Sequence, residues 1–268
     1  MIWPMTYLQS IILGVVQGAS EFLPVSSSGH LVVARNLMEM EEIPLLFDIL
    51  LHLPTLLAIV IVFRKRIGAL FSVVYRLLRG RRDPGDQENL RLVRTILIAT
   101  AATAVVGYAF SRLQDQLPIS ARLVGALFLL TAALLLSTRF FRGKKSYSDL
   151  TLGDALITGA AQGFGVLPGI SRSGATLTAG LACGADRGKA GEYAFLLAIP
   201  AILGAFALKI GDIGEMAVDA GVLTVGMLCS FVVGLASLLL LLRIIRRGRL
   251  YLFVLYLVPV GIATIVLL

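Results

Sequence analysis

Glu21 is the first charged residue in the chain, and it stands inside an otherwise apolar segment. Gln17 lies four residues before it, and Ser26, Ser27, Ser28, Gly29 and His30 follow shortly after, in the stretch QGASEFLPVSSSGH. A carboxylate in apolar surroundings is costly to ionise unless a metal, an arginine or a proton offsets the charge. Residues four apart share one face of a helix, with about 5–6 Å between Cβ atoms, so Gln17 and Glu21 are neighbours. Serines ahead of a helix cap its first turn, where backbone N–H groups favour anions. Capping uses one hydroxyl, and three are present. His30 is close enough to share the site as base, acid or nucleophile. Together these residue types point to the handling of a phosphate.

A second stretch, Gln162 to Thr176, reads QGFGVLPGISRSGAT and resembles the first. Gln17-Gly18 matches Gln162-Gly163, Pro24 matches Pro168 after a one-residue slip, and Ser26-Ser27-Ser28-Gly29 matches Ser171-Arg172-Ser173-Gly174. Arg172 is the only basic residue between Lys145 and Arg187. Its planar, permanently charged guanidinium suits bidentate phosphate binding. Ser171 and Ser173 flank it. The other histidine, His52, shares a helical face with Asp48, and that pair is expected to pack together or line the outer mouth rather than to take part in catalysis.

The elements that position these residues follow from composition. The chain has 268 residues, 57% hydrophobic and 15% charged, more apolar than a soluble domain of this size needs. Ala220–Leu242, Leu250–Leu268 and Thr95–Ser111 contain no Asp, Glu, Lys or Arg. About 20 such residues cross a hydrocarbon core. The N-terminus lacks the basic region of a usual signal peptide, since the first Lys or Arg is Arg35. Cys183 and Cys229 sit in apolar surroundings and suggest neither a disulfide framework nor a metal site. The net charge of +8 is read as membrane orientation, with no nucleic-acid partner.

Of the 24 Lys and Arg residues, 19 fall in four stretches: Arg64–Arg94, Arg139–Lys145, Arg187–Lys189 and Arg243–Arg249. The positive-inside rule makes these connections cytoplasmic. The acidic connections at Glu39-Glu41-Glu42 and at Asp212, Glu215 and Asp219 should face outward. Six spans follow: Leu45–Phe63, Thr95–Ser111, Leu123–Thr138, Tyr193–Leu208, Ala220–Leu242 and Leu250–Leu268. The Arg76–Asn89 segment, with Asp83-Pro84-Gly85, is a solvated turn.

Parity decides the rest. Leu150–Gly184 has cytoplasmic segments on both sides, so it crosses an even number of times. Two full crossings would leave almost nothing for a turn, and Pro168-Gly169 breaks its middle. A re-entrant hairpin fits, since non-helical backbone at that depth must be buried in protein or line a cavity. The matching Gln17–His30 stretch is then a second hairpin. Leu50-Leu51-His52-Leu53-Pro54 also resembles Leu196-Leu197-Ala198-Ile199-Pro200. Each half reads as one hairpin and three spans. Three is odd, so the halves are inverted, with a site near the midplane at the broken helices. The fold expected is a single all-α polytopic membrane domain over 1–268, with six transmembrane helices plus two re-entrant helical hairpins. Repeat 1 covers about 1–140 and inverted repeat 2 about 148–268.

The segments QGASEFLPVSSSGHL and PGISRSGAT resemble the two signature motifs of the undecaprenyl-diphosphatase family, the bacitracin-resistance phosphatases of bacterial membranes. The resemblance covers essentially the whole chain. It implies conversion of a C55 polyprenyl diphosphate to the monophosphate carrier lipid of cell-wall synthesis. It also implies a multi-pass protein of the bacterial inner membrane, a site open to the outer face, a divalent cation (Mg²⁺ or Ca²⁺) and a homodimer. By position, the first motif falls on Gln17, Glu21, Ser26, Ser27, Ser28 and His30, and the second on Pro168, Gly169, Ser171, Arg172, Ser173 and Thr176. The family has Glu or Gln at the first position. Gln17 leaves Glu21 as the one acidic residue of the pair and the candidate metal ligand.

The mechanism expected is attack on the terminal phosphorus by a hydroxyl, Ser27 first, with His30 or Glu21 accepting its proton. Direct attack by water fits the same residues. Arg172 and the hairpin N–H groups hold the phosphates and stabilise transition-state charge. The alternative is a lipid-phosphate transporter or flippase using the same midplane site.

Overall fold

The computed structural model describes residues 5–38, 40, 45–81, 83–114, 116, 120–209 and 219–268. Among them the chain forms ten α-helices and no β-strand. They are α1 Tyr7–Phe22, α2 Ser27–Leu37, α3 Leu45–Leu78, α4 Gln87–Gln114, α5 Ala121–Ser137, α6 Leu152–Phe164, α7 Arg172–Ala182, α8 Arg187–Lys209, α9 Ala220–Arg246 and α10 Val254–Leu267. Five segments are long and apolar enough to cross a membrane: Pro84–Gln114, Ala121–Phe140, Arg187–Leu208, Ala220–Arg246 and Leu250–Leu267. The chain is an all-helical integral membrane protein.

The segment Leu45–Phe63 lies within α3, which runs 34 residues to Leu78. That is about 50 Å at 1.5 Å per residue. Arg64, Lys65 and Arg66, read as the start of a cytoplasmic connection, continue the helix. Arg and Lys are good helix formers. Arg66 is also held from outside α3, by Glu192 of α8 at 2.6 Å and by the side-chain oxygen of Asn89 in α4 at 2.9 Å. The expected turn between α3 and α4 is present, with the Asp83 side chain accepting from the Gly85 N–H at 2.9 Å. Glu39, Glu41, Glu42, Asp212 and Glu215 lie outside the described residues. Asp219 is described, as the N-cap of α9, accepting from the Gly221 and Val222 N–H groups.

Two pairs of helices are interrupted. α1 and α2, of 16 and 11 residues, are separated by Leu23–Ser26. α6 and α7, of 13 and 11 residues, are separated by Gly165–Ser171. At 1.5 Å per residue each of these four is shorter than a hydrocarbon core of about 30 Å.

Each broken pair rests on a long helix through small residues. α1 packs along α9, and α6 packs along α4. A Cβ on Gly18 would fall 2.6 Å from the Ser230 carbonyl oxygen, and one on Gly163 would fall 2.7 Å from the Val106 Cβ. Without a hydrophobic drive between helices in lipid, such close backbone approach is what holds them. α5 and α10 form a further extensive contact. One apolar core lies between α3, α7, α8 and α9, with Leu177, Leu238 and Leu241 fully buried. Another joins α5 to α10 around Phe128 and Leu257.

Candidate active site

The two interruptions meet. Ser26 caps α2 through its side chain, which accepts from the Gly29 N–H at 3.4 Å. Ser171 caps α7 in the same way, accepting from the Gly174 N–H at 3.0 Å. The Ser26 hydroxyl also accepts from the Gly169 N–H at 3.0 Å, so the first break is bonded to the second. In return, the Ser173 hydroxyl donates to the Phe22 carbonyl at 3.0 Å. Two 11-residue helices therefore present their N-termini at one place. Helix N-termini carry partial positive charge and unused donors, which suits an anion.

The backbone of both breaks is specialised. Ser26 has φ 72°, the one positive φ outside glycine among the described residues. A non-glycine residue there costs on the order of 1–3 kcal/mol. It is held by His30, whose Nδ1 lies 2.8 Å from the Ser26 carbonyl, while its Nε2 lies 2.8 Å from the Tyr256 hydroxyl. Nδ1 therefore donates to the carbonyl, and Nε2 accepts from Tyr256. The imidazole also packs between Phe128 and Tyr256. On the other break Gly169 has φ +105°, and a Cβ there would fall 2.6 Å from the Val124 carbonyl oxygen. Thr131 of α5 pins that turn, donating to the Gly169 carbonyl at 2.8 Å and accepting from the Ser171 N–H at 3.1 Å.

Glu21 is the hub. It sits in the last turn of α1, and its side chain is 5% exposed. Its Oε1 receives Nη2 of Arg172 at 2.5 Å. Its Oε2 receives the Ser27 hydroxyl at 2.7 Å and Nε2 of Gln17 at 3.0 Å, with Nε2 of His52 at 3.3 Å. Charge partners and donors on both oxygens explain how a carboxylate is kept here. The Gln17 amide oxygen is buried without a hydrogen-bond partner among the described residues. Arg172 stands on the first residue of α7, opposite Ser27 on the first residue of α2, and its side chain is 24% exposed.

The sequence candidates thus fall into two groups. Gln17, Glu21, Ser27 and Arg172 are in direct contact. Ser26, Ser28, Ser171 and Ser173 form the hydroxyl edges of the two breaks, with Ser26 and Ser28 3.4 Å apart and Ser171 and Ser173 3.1 Å apart. Thr176 is buried, and its hydroxyl donates to the Arg172 carbonyl, steadying the first turn of α7. His30 directs both ring nitrogens to Ser26 and Tyr256.

His52 was expected to pack with Asp48 or to line the mouth, but it reaches the Glu21 carboxylate from α3. The Asp48 side chain lies outside the described residues. Thr131 and Tyr256 were not singled out either. The only sequence signal for His52 was its rarity, one of two histidines and set in an apolar span.

The donor set suits a hard cation only in part. A carboxylate, an amide oxygen left without a partner and the Ser27 hydroxyl are oxygen donors of the kind Mg²⁺ and Ca²⁺ take. No group of three or more His, Cys, Asp or Glu capable of enclosing a metal occurs among the described residues. A cation here would need further oxygens from a bound phosphate, which is how Mg²⁺ is commonly held.

Comparison with known proteins gives the chain a family. The family profile described as Bacitracin resistance protein BacA matches residues 10–263, which include both breaks. A Treponema denticola protein named undecaprenyl-diphosphatase is 46% identical, with 96% of each chain covered. A Desulfosudis oleivorans protein of the same name is 43% identical over 96% of this chain and 97% of its own. A Korarchaeum cryptofilum protein of that name is 41% identical over 98% and 100%. The chain belongs to the bacitracin resistance protein BacA family.

Proposed function

We propose that this protein hydrolyses the phosphoanhydride of undecaprenyl diphosphate, giving undecaprenyl phosphate and inorganic phosphate and so returning the carrier lipid to cell-wall synthesis. The observation that carries the reading is the junction at Glu21. A serine hydroxyl and an arginine meet on one buried carboxylate, between two helix N-termini. Binding a headgroup for transport would use Arg172 and the N-termini. A hydroxyl held on a carboxylate serves bond-making, and the relatives carry the diphosphatase name.

In the reaction, the terminal phosphate lies against Arg172 and the first turns of α2 and α7. Ser27 Oγ attacks the terminal phosphorus, and Glu21 takes its proton across the existing 2.7 Å hydrogen bond. The bond to the bridging oxygen breaks, and the lipid monophosphate leaves. Water then attacks the phosphoserine, inorganic phosphate departs and Ser27 regains a proton. Charge on the equatorial oxygens is met by Arg172 and the helix N-termini, which is the main demand of phosphoryl transfer. His52, on the same carboxylate oxygen as Ser27, orients Glu21, and His30 holds the Ser26 turn that aims Ser27. A divalent cation held by Glu21 and the Gln17 amide oxygen, together with the substrate's phosphates, would neutralise diphosphate charge.

The broken pairs are read as re-entrant hairpins of an inverted repeat, with α3 as the sixth span. Their exchanged packing supports this, since α1 lies on the fourth helix of the second half and α6 on the fourth helix of the first. The protein is read as lying in the cytoplasmic membrane with its site open to the outer face; the clustering of basic residues on one set of connections supports the orientation this requires.

Substrate labelled with ³²P in its terminal phosphate, mixed with the protein and acid-quenched within one turnover, tests the chemistry. Acid-stable label on Ser27, located by mass spectrometry and absent in Ser27→Ala, is expected. Acid-labile label on a histidine, or turnover with no labelled protein at any time point, would overturn the serine route.

A further inference from the structure

A second charged feature lies apart from the catalytic junction. A cavity of about 800 Å³ is lined by Arg139, Arg142, Lys144, Arg187, Arg246 and Arg247, with Asp186 the single carboxylate in its wall. These residues come from three of the basic connections, and the fold draws them together by specific contacts. Lys145 pairs with the α7–α8 connection, donating its N–H to the Gly184 carbonyl at 2.9 Å and accepting from the Asp186 N–H at 3.0 Å. Gly248, at φ +66°, lets the 246–248 turn close onto Arg187, where a Cβ would fall 2.7 Å from Nη2. Tyr251 underlies Arg139, 5.9 Å from its guanidinium carbon.

Orientation in a membrane needs basic residues on the inner connections, but it does not need them to converge on one concavity. None of the six cations forms an ion pair among the described residues. The one carboxylate is engaged by the first turn of α8, accepting from the Gly188 N–H at 2.9 Å and the Lys189 N–H at 3.3 Å. The wall therefore holds a large excess of unpaired positive charge. Phe140 and Leu252, each next in sequence to a lining residue (Arg139 and Tyr251), and Leu255 in the first turn of α10 are exposed, Phe140 by 78%. A phosphate ligand here would have an apolar flank next to its charge.

We propose that this cavity binds the headgroup of an anionic phospholipid of the inner leaflet, with its acyl chains along α5 and α10. Charge complementarity selects an anion, and the exposed apolar flank selects one that carries hydrocarbon. Basic pockets on the cytoplasmic side of membrane helices favour such headgroups. The site is separate from Glu21 and Arg172, so it stands whether or not the hydrolytic reading does.

The test uses the full chain carrying Trp3→Phe and Tyr251→Trp, reconstituted in vesicles with brominated lipids. Brominated phosphatidylglycerol is expected to quench the fluorescence of the introduced tryptophan with an association constant about tenfold above that of brominated phosphatidylcholine. In the added triple variant Arg142→Gln/Arg187→Gln/Arg247→Gln that ratio should fall to near one, with phosphate release unchanged. Equal quenching by both lipids would overturn the proposal, as would a preference that survives the triple variant. Efficient displacement by millimolar inorganic diphosphate would point to a soluble anion and equally defeat it. Native mass spectrometry of the unsubstituted protein, counting retained phosphatidylglycerol with and without the three Arg→Gln changes, gives the same decision without the tryptophan.

Discussion

Glu21 is the residue on which the proposed chemistry turns. Its two oxygens divide the work: Oε1 fixes Arg172, while Oε2 receives Ser27, Gln17 and His52. Arg172→Lys keeps a charge but loses the planar fork, and turnover should fall by about 10²–10³, as for loss of one transition-state donor. Unchanged turnover would remove the arginine from the reaction. His52→Ala leaves Ser27 and Arg172 in place but frees the carboxylate to rotate. Steady-state kinetics should show kcat lower by about 10²-fold with KM little changed, in the range of acid–base contributions. A rise in KM alone would make His52 a binding residue. Glu21, Ser27 and Arg172 were legible in the sequence because a charge or hydroxyl cluster in an apolar run stands out. His52 was not, because its partner lies on another helix and only tertiary packing brings α3 against α1.

At the scale of elements, the two breaks act because their flanking helices are fixed from behind. Gly18 and Gly163 are matched positions of the two repeated stretches, and both touch a neighbouring helix where a side chain has no room. Gly18→Leu and Gly163→Leu should each lower unfolding stability in detergent by about 1–3 kcal/mol, the usual cost of overpacking. A variant as stable as wild type would show that the helices can separate freely. At the α3–α4 turn, the Arg76 guanidinium donates to the buried Asp86 carboxylate and ties the end of α3 to the start of α4. Asp86→Ala leaves the guanidinium without its partner and should lower the unfolding temperature in detergent; an unchanged temperature would make the pair inert. Helix breaks were readable from Pro168-Gly169 and the serine caps, as was the turn at Asp83-Pro84-Gly85. The extension of α3 to Leu78 was not, because charge was read as a cytoplasmic connection while the anchoring of Arg66 by Glu192 and Asn89 is a tertiary contact.

For the whole molecule, the sequence carried the all-helical membrane class through its charge-free runs and the grouping of its basic residues. Cysteines introduced at Arg79 and Asp219 should label from opposite sides of the membrane, Arg79 from the cytoplasm. The reverse pattern, with Arg79 labelled from outside and Asp219 from the cytoplasm, would overturn the orientation on which the outward-facing site depends. The basic cavity was invisible in the sequence as a cavity, since its residues lie in three separate connections that only the packed helices bring together. The central claim is that the junction of the two helix breaks performs hydrolysis. Its most direct test is inorganic phosphate release from undecaprenyl diphosphate by the purified protein, run beside Ser27→Ala and Arg172→Ala variants that retain the wild-type unfolding temperature. The account predicts release by wild type and a loss of at least about 10²-fold in each variant. Release that persists undiminished in both folded variants would contradict it.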